Sequence, residues 1–474
     1  MRKKHHCLTG CLFALLAILF VMPGPYAYAE NATLVWDPNS DPDLAGYRVY
    51  IGYESRSYSC SVDTGMETSY SLSNLEPEKT YYLAVTAYNI QGAESIYSEE
   101  LVYKTPPGTP INSKLVVGLG SFLENGGWLQ AISLRDYLHD SWLRVDWDEY
   151  NLANGESRLA KGDIDGDGKE EIIIGLAPVP EDPSIPNGIF EVLDDDYTHL
   201  AWGQIDWADY NAVNGETWPA CGDVDGDQKD EIIIGLGPGG NGVLEVFDYT
   251  PGRLIHKTWI EVDWEDYNLA CGESRPASGD IDGDGKEEIV IGLGPVPEDP
   301  SIPNGIFEVL DDDCTHLAWG QIDWADYNAV NGETRPACGD VDGDQKDEII
   351  IGLGTGGEGR FETHVYQGNQ VVYSEGNQVN WQEYNALFGE TRPVCGDIDS
   401  DKKDEILIGL GKGGEGIIQV FDDALEGYKY LTSLQTGFQD YDIANGETWP
   451  VVIMLNRVSG VNPVPWLRLL LLEN

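Results

Sequence analysis

Short runs of alternating apolar and polar residues recur along the chain after residue 113. In one stretch, residues 158–162 and 171–176 flank a charged loop, and two further alternating runs follow at residues 188–193 and 199–207. Alternation with a period of two residues is typical of strands that bury one face. The stretch therefore predicts a small antiparallel sheet of four strands.

This unit is repeated at regular spacing. A GDIDGD-type string begins at five glycines that are separated alternately by 60 and 57 residues, namely Gly162, Gly222, Gly279, Gly339 and Gly396. Residues 178–237 recur as residues 295–354 with two substitutions. Repeated four-stranded units are typical of a β-propeller, which closes on itself, whereas a solenoid would leave exposed end sheets.

The number of units predicts how the ring closes. An IGL-type strand and a GE[ST] element each occur six times, but the first unit lacks its first strand and the last contains little else. Residues 447–455 can therefore complete the unit that begins at residue 115. The sequence predicts an all-β fold with a six-bladed propeller at residues 114–455, seven blades being the alternative, and a divergent tail at residues 456–474.

Residues 30–106 predict a separate domain. Short alternating runs between turn signals favour an antiparallel sandwich of about seven strands. With Trp36 early in the segment and Tyr81 shortly after residues 75–77, the segment resembles a fibronectin type III module. The resemblance implies a core position for Trp36, a tyrosine corner at Tyr81 and a spacer role. Three prolines in or beside residues 107–113 indicate a stiff linker.

Residues 1–29 have the pattern of a secretory signal. Basic residues at positions 2–4 precede an apolar run at residues 11–22, and small residues at Ala27 and Ala29 predict cleavage near Ala29-Glu30. The run is shorter than the roughly 20 residues that span a bilayer, and an interfacial anchor is the alternative. We therefore expect a secreted, extracellular or cell-surface protein.

The charged loop of each unit carries the candidate chemistry. Carboxylates stand at its positions 1, 3, 5 and 9, which lets them converge on one cation with oxygen ligands. Calcium fits best because it accepts six to eight oxygens in loose geometry, and an EF-hand is excluded because the loop runs into a strand. The predicted ligands are Asp163, Asp165, Asp167, Glu171; Asp223, Asp225, Asp227, Glu231; Asp280, Asp282, Asp284, Glu288; Asp340, Asp342, Asp344, Glu348; Asp397, Asp399, Asp401 and Glu405.

The repeat resembles the FG-GAP repeat of integrin α-subunit propellers and of bacterial surface proteins. The resemblance rests on Phe388-Gly389, on the acidic string at residues 396–399, on Ile408-Gly409 and on residues 175–178, which approach the closing GAP. It implies calcium-stabilised blades and an adhesive role. Position 6 of the loop, usually Gly, departs from the pattern in three copies, Gln228, Gln345 and Lys402, where a left-handed turn is costlier.

A second repeated element, DWxxYN, lies between one unit and the next. Aromatic residues at each crossing predict packing between blades. The alternative is a ring of carbohydrate sites, in which the tryptophans stack on sugars while nearby Glu and Arg residues of the GE[ST] elements bind hydroxyls. The tryptophans are Trp147, Trp207, Trp264, Trp324 and Trp381.

Composition narrows the function further. The chain has 82 Asp and Glu against 28 Lys and Arg, a net charge of −54, which disfavours nucleic acid and anionic membranes as partners.

Six cysteines outside the signal lack a CxxC pair, and we expect mostly buried free thiols. No GxSxG, HExxH or phosphate loop occurs, so no catalytic residue is predicted. The sequence favours a secreted calcium-binding adhesion or interaction protein with a protein or glycan ligand; a lectin and a polysaccharide lyase or glycosidase are the alternatives.

Overall fold

The computed structural model describes residues 18–21, 30–39, 41, 43–75, 79–104, 113–134, 137–297, 299–399, 401–424 and 427–454. The chain divides into two compact units, of which the first comprises residues 1–111 and 399–401 and the second comprises residues 112–398 and 402–474. Most of the predicted signal and linker and all of the tail lie outside the described residues. Among those residues, no helix is both long and apolar enough to cross a membrane.

The first unit consists of two antiparallel sheets. One contains β1 (Ile18–Val21), β2 (Glu30–Val35) and β5 (Ser69–Leu75); the other contains β4 (Cys60–Gly65), β3 (Leu44–Gly52), β6 (Thr80–Asn89) and β7 (Leu101–Lys104). Trp36 is buried and meets Tyr47 edge to face, with 5.7 Å between ring centroids. Tyr81 is also buried. The core position of Trp36 is confirmed. The described part of residues 30–106 contains six strands, one fewer than predicted, because the seventh strand of this unit, β1, lies in the segment predicted to be a signal and pairs with β2.

The second unit contains six four-stranded antiparallel sheets, numbered 1 to 6, in the part of the chain that the structure describes. Sheet 1 combines β8 (Ser113–Leu119), β9 (Trp128–Ser133) and β10 (His139–Arg144) with β31 (Thr448–Met454) from the other end of the unit. The other sheets are each built from consecutive strands. They are sheet 2, β11 (Ser157–Gly162), β12 (Glu171–Leu176), β13 (Ile189–Leu193) and β14 (His199–Gln204); sheet 3, β15 (Thr217–Gly222), β16 (Glu231–Leu236), β17 (Val243–Thr250) and β18 (Arg253–Glu261); sheet 4, β19 (Ser274–Gly279), β20 (Glu288–Leu293), β21 (Ile306–Leu310) and β22 (His316–Gln321); sheet 5, β23 (Thr334–Gly339), β24 (Glu348–Leu353), β25 (Arg360–Tyr366) and β26 (Val371–Gln378); and sheet 6, β27 (Thr391–Gly396), β28 (Glu405–Leu410), β29 (Ile417–Phe421) and β30 (Tyr430–Gln435).

The second strand of each sheet is buried on both faces. Every residue of β12 is buried, which explains the continuous run Ile-Ile-Ile in place of alternation. The glycine of this run allows the next sheet to approach. A Cβ on Gly175 would lie 2.6 Å from the Pro219 ring and 2.6 Å from the carbonyl oxygen of Thr217. The recurrent IGL string therefore follows from close packing of one sheet on the next.

Strands from the two ends of the unit pair as the sequence predicts. β31 is antiparallel to β8 from Thr448 opposite Leu119 to Met454 opposite Ser113. The first strands also contact one another in succession, β11, β15, β19, β23, β27, β31 and again β11. Each contributes four consecutive residues to the wall of one channel of about 220 Å³. The arrangement is propeller-like.

Short helices lie where the sequence predicted the end of a strand. The run predicted at residues 199–207 ends as a strand at Gln204, and Trp207 instead precedes a helix. The Asn211 side chain fixes this turn, because its Nδ2 donates to the carbonyl of Ile205 at 2.7 Å. The helices among the described residues are α1 (Asp148–Ala153), α2 (Ala208–Val213), α3 (Glu265–Ala270), α4 (Ala325–Asn328), α5 (Gln382–Leu387) and α6 (Gln439–Ala444).

The six cysteines in the described part of the chain are free thiols. Cys221 and Cys395 are buried, Cys60 is exposed, and the other three are half-buried. The expectation of free thiols is confirmed, but burial is less complete than predicted.

Candidate functional site

The acidic loops join the first strand to the second in sheets 2 to 6. In the first loop the Asp163 carboxylate accepts the backbone N–H of Gly166 at 2.8 Å and of Gly168 at 2.9 Å. Asp165 accepts the N–H of Asp167 at 3.0 Å. These bonds hold the aspartate carboxylates against the backbone of their own loop, so several negative charges lie close together.

The glutamate at position 9 supplies the buried part of each cluster. Glu171 is 1% exposed, and its Oε2 accepts the N–H of Ile164 at 3.0 Å. Its Oε1 is buried and has no hydrogen-bond partner among the described residues. Asp163, Asp165 and Glu171 each offer an oxygen within 4.8 Å of the others. This set has the oxygen chemistry that a calcium ion needs.

The third loop shares this geometry, and the fourth shares its buried glutamate oxygen. Asp280, Asp282 and Glu288 offer oxygens within the same 4.8 Å. Glu288 Oε1 and Glu348 Oε2 are buried without a hydrogen-bond partner in the part of the chain that the structure describes. In the fifth loop Glu405 Oε2 accepts the N–H of Ile398 at 2.8 Å, matching the bond of Glu171.

Electrostatics show why these clusters suit a cation. Burial and the neighbouring aspartates raise the pKa of Glu171 to about 8. Burial also raises the pKa of Glu288 to about 7 and that of Glu348 to about 8. A buried carboxyl among like charges resists ionisation, and a bound cation reverses that preference.

The second loop differs from the others. Glu231 Oε2 accepts the N–H of Val224 at 3.2 Å, as its counterparts do. Its Oε1, however, accepts a hydrogen bond from Lys257 Nζ at 3.1 Å. Asp223, Asp225 and Asp227 still offer oxygens within 4.8 Å of one another.

Position 6 of every loop adopts the left-handed conformation that the sequence predicts. Its φ is 86° at Gly168 and 92° at Gly285. It is 73° at Gln228, 72° at Gln345 and 75° at Lys402, where a side chain makes this conformation less favourable.

At the DWxxYN crossings, tyrosine packs more completely than tryptophan. Tyr210 is 1% exposed; its hydroxyl donates to the carbonyl of Glu216 at 2.7 Å and accepts the N–H of Gly237 at 2.7 Å. Trp207 stacks on Tyr210 with 5.7 Å between centroids but is only half-buried. The other four predicted tryptophans are half-buried too, Trp147, Trp264, Trp324 and Trp381. Packing thus accounts for one side of each tryptophan and leaves part of it accessible.

One crossing opens into an aromatic crevice. Asp146, Trp147, Ile189 and Trp202 line a space of about 280 Å³, and the two indoles meet edge to face at 5.9 Å. His199 Nδ1 lies 2.8 Å from Glu191 Oε1 at the same sheet.

The Glu and Arg residues of the GE[ST] elements do not join this crevice. Arg158 Nη2 lies 2.7 Å from Glu156 and 2.7 Å from Glu216, so it bridges two sheets. Arg275, Arg335 and Arg392 bridge successive glutamates in the same way. These Glu and Arg side chains therefore form ion pairs with one another, whereas the sequence suggested that they could bind sugar hydroxyls.

Two tryptophans complete this charged ring at the channel. The Arg158 guanidinium lies 4.0 Å from the Trp218 ring centre, and that of Arg392 lies 3.5 Å from the Trp449 ring centre. Burial opposes ionisation of Glu390, yet Arg392 and Arg335 lower its pKa to about 2. The sequence signal was the presence of Trp218 and Trp449 at the position two residues after the glutamate, where the other elements have arginine, and the prediction did not use it.

Comparisons with known proteins bear on both units. A model of the fibronectin type III domain matches residues 28–103, which confirms the predicted domain. Integrin alpha-PS2 of Drosophila melanogaster is 26% identical over 211 residues, covering 40% of this chain and 14% of the integrin subunit. The chain thus spans 14% of that relative's length.

Two solved structures align over most of the chain. A rhamnogalacturonan lyase of Bacillus licheniformis has 13% identity and a TM-score of 0.34, covering 83% of this chain and 87% of the lyase. A proposed 6-phosphogluconolactonase of Bacteroides fragilis has 10% identity and a TM-score of 0.42, covering 88% of this chain and 100% of that one. Similarity at this level does not define an activity.

Proposed function

We propose that the chain is an exported calcium-binding interaction protein, in which a fibronectin type III domain precedes a six-bladed propeller. The observation that carries the calcium assignment is the buried glutamate of the acidic loops. In the first and third loops it presents an unpaired oxygen beside two aspartates. Calcium binds through such oxygens and supplies the positive charge that the cluster lacks.

The six-bladed assignment is supported by the strand contacts. The first strands of the six sheets form an unbroken circle of neighbours, and β31 joins the last part of the unit to sheet 1. Closing the ring with a strand from the opposite end leaves no unpaired first strand.

The loops also connect neighbouring sheets. Lys229 Nζ, from the second loop, donates to the carbonyl of Asp165 in the first loop at 2.5 Å. Asp230, beside it, accepts the N–H of Asp163 through Oδ2 at 2.7 Å. Order in one loop therefore restrains the next. We propose that calcium stiffens this face of the protein for binding a protein or glycan outside the cell.

Equilibrium dialysis of the calcium-free full chain against labelled calcium tests the assignment. Saturable binding at about 0.1 to 1 mM is expected, the range of extracellular calcium modules. Glu288→Gln should remove one bound ion per chain. Asp209→Asn removes one negative charge from an exposed helix position outside the loops and should leave the count unchanged. Equal loss in both variants, or no saturable binding, would refute the assignment.

A second candidate function rests on the aromatic crevice. Two indole faces at right angles beside a carboxylate suit a sugar ring. We propose that this crevice, and its counterpart at Trp264 and Trp319, whose rings are 5.8 Å apart, binds glycans. Trp202→Ala with Trp319→Ala should abolish glycan-array binding without lowering the melting temperature. Depolymerisation of a bound polysaccharide would instead assign an enzyme.

A further inference from the structure

Lys257 lies among the ligand carboxylates of the second acidic loop. It belongs to β18 of the same sheet, and its Nζ lies 2.7 Å from Asp225 Oδ2 and 3.1 Å from Glu231 Oε1. Asp248 Oδ1 is also 3.1 Å from this ammonium group. Three carboxylates thus surround the ammonium group of one lysine of the chain itself, and two of these carboxylates are predicted calcium ligands.

The register of the fourth strands shows that this lysine is specific to sheet 3. Pairing passes from Phe247 opposite His256 to Val246 opposite Thr258, which leaves Lys257 as the extra residue of a β-bulge. The other sheets with an acidic loop have the same register shift. Their residues at the bulge are uncharged: Leu200, Leu317, Ser374 and Leu431.

The buried glutamates respond to this difference. The buried Oε1 atoms of Glu171 and Glu288 have no hydrogen-bond partner among the described residues, whereas Glu231 Oε1 accepts a hydrogen bond from Lys257. Glu231 is 3% exposed, whereas the Lys257 side chain is 32% exposed, so the bond joins a buried carboxylate to a solvent-accessible ammonium group. A calcium ion in the second loop would have to share Asp225 and Glu231 with an ammonium group of the same sign. Two cations at such distances repel each other, and solvent screens this repulsion only in part beside the buried Glu231.

We propose that the Lys257 ammonium group takes the place of calcium in the second loop, so that this loop is ordered without a metal ion. The inference rests on the proposed calcium function of the other loops. It predicts that the chain binds one ion fewer than its number of acidic loops, and that a single position of the fourth strand decides whether a loop needs calcium.

The test is the number of calcium ions bound per full-length chain, measured by equilibrium dialysis at saturating calcium. Lys257→Leu gives sheet 3 the residue of sheets 2 and 4 and should add one ion relative to the unaltered chain. Leu317→Lys makes the reverse exchange in sheet 4 and should remove one ion. The inference is overturned if Lys257→Leu binds the same number as the unaltered chain, or if Leu317→Lys loses none.

A second measurement separates this inference from the calcium assignment itself. In excess chelator Lys257→Leu should melt at a lower temperature than the unaltered chain, because three carboxylates lose their cation, and saturating calcium should restore it. If calcium fails to restore the variant while the unaltered chain binds several ions, the inference fails and the calcium function stands. If the unaltered chain binds no calcium, the proposed function fails.

Discussion

Glu245 is a wholly buried carboxyl outside the acidic loops. Its Oε2 accepts the N–H of Asp206 at 2.9 Å, and its Oε1 has no hydrogen-bond partner in the described part of the chain. His256 Nε2 lies 3.9 Å from Glu245 Oε2. Burial raises the pKa of Glu245 to about 7. The folded state therefore holds this proton more tightly than the unfolded chain, and ionisation destabilises it as the pH rises from about 4.5 to about 7.

Glu245→Gln should raise stability at pH 8 and leave it nearly unchanged at pH 4. A shift of this size corresponds to at most about 3 kcal/mol. Melting curves of both proteins at both pH values measure the difference. Gln419 accepts the equivalent N–H, that of Asn380, at 2.7 Å, so Gln419→Glu is the matched reverse change and should destabilise at pH 8. Equal melting shifts at the two pH values would contradict the account.

The tryptophan and the tyrosine of each DWxxYN element should differ in their contribution to stability. Tyr210 is buried and forms two hydrogen bonds to backbone groups, whereas Trp207 is half-buried. Tyr210→Ala should cost about 3 to 5 kcal/mol, the range for a large buried aromatic, and Trp207→Ala clearly less. Chemical denaturation of both variants measures the order, and a larger loss for Trp207→Ala would reverse it. The sequence predicts packing for the aromatic residues of each crossing, but it does not show which ring is fully covered.

The positions of strands and acidic loops can be predicted from the local sequence pattern. The contacts between these elements cannot. The continuous apolar run locates β12, because every residue of that strand is buried. In β13 the charged Glu191 is also buried, which the strand's own residues do not indicate. A six-residue helix such as α2 is too short to show a helical period, so it was missed. The ion pair between Arg158 and Glu216 joins residues 58 positions apart, and the contact between Lys257 and Glu231 joins residues 26 positions apart. Only the packing of strands and sheets brings such residues together.

The left-handed backbone at position 6 of the acidic loop should limit the stability of loops that lack glycine there. Gln345 holds a φ of 72° at loop position 6, where the first and third loops have glycine. Gln345→Gly should stabilise the folded chain by about 0.5 to 1 kcal/mol in chelator and tighten calcium binding, because glycine adopts this conformation without steric cost. Gln378→Gly, in strand β26, is the control and should destabilise. A destabilised Gln345→Gly protein would show that the left-handed turn does not limit this loop.

The whole second unit depends on the pairing of β31 with β8. Ending the chain after Gly446 removes β31, leaves the buried Val116 and Val117 without their neighbour, and should abolish cooperative unfolding of this unit. Ending it after Met454 keeps every described strand and should leave the melting temperature unchanged. Equal melting temperatures for the two truncated chains would show that β31 does not close the unit.

Bound calcium should stabilise the second unit, and calorimetry of the full chain measures this stabilisation. At about 1 mM free calcium, each site with a Kd of about 0.1 mM adds roughly 1.4 kcal/mol, so four loops together add about 6 kcal/mol. We predict two unfolding transitions, of which the larger moves to lower temperature in excess chelator while that of the fibronectin type III domain stays in place. A larger transition that does not move between calcium and chelator would contradict the claim.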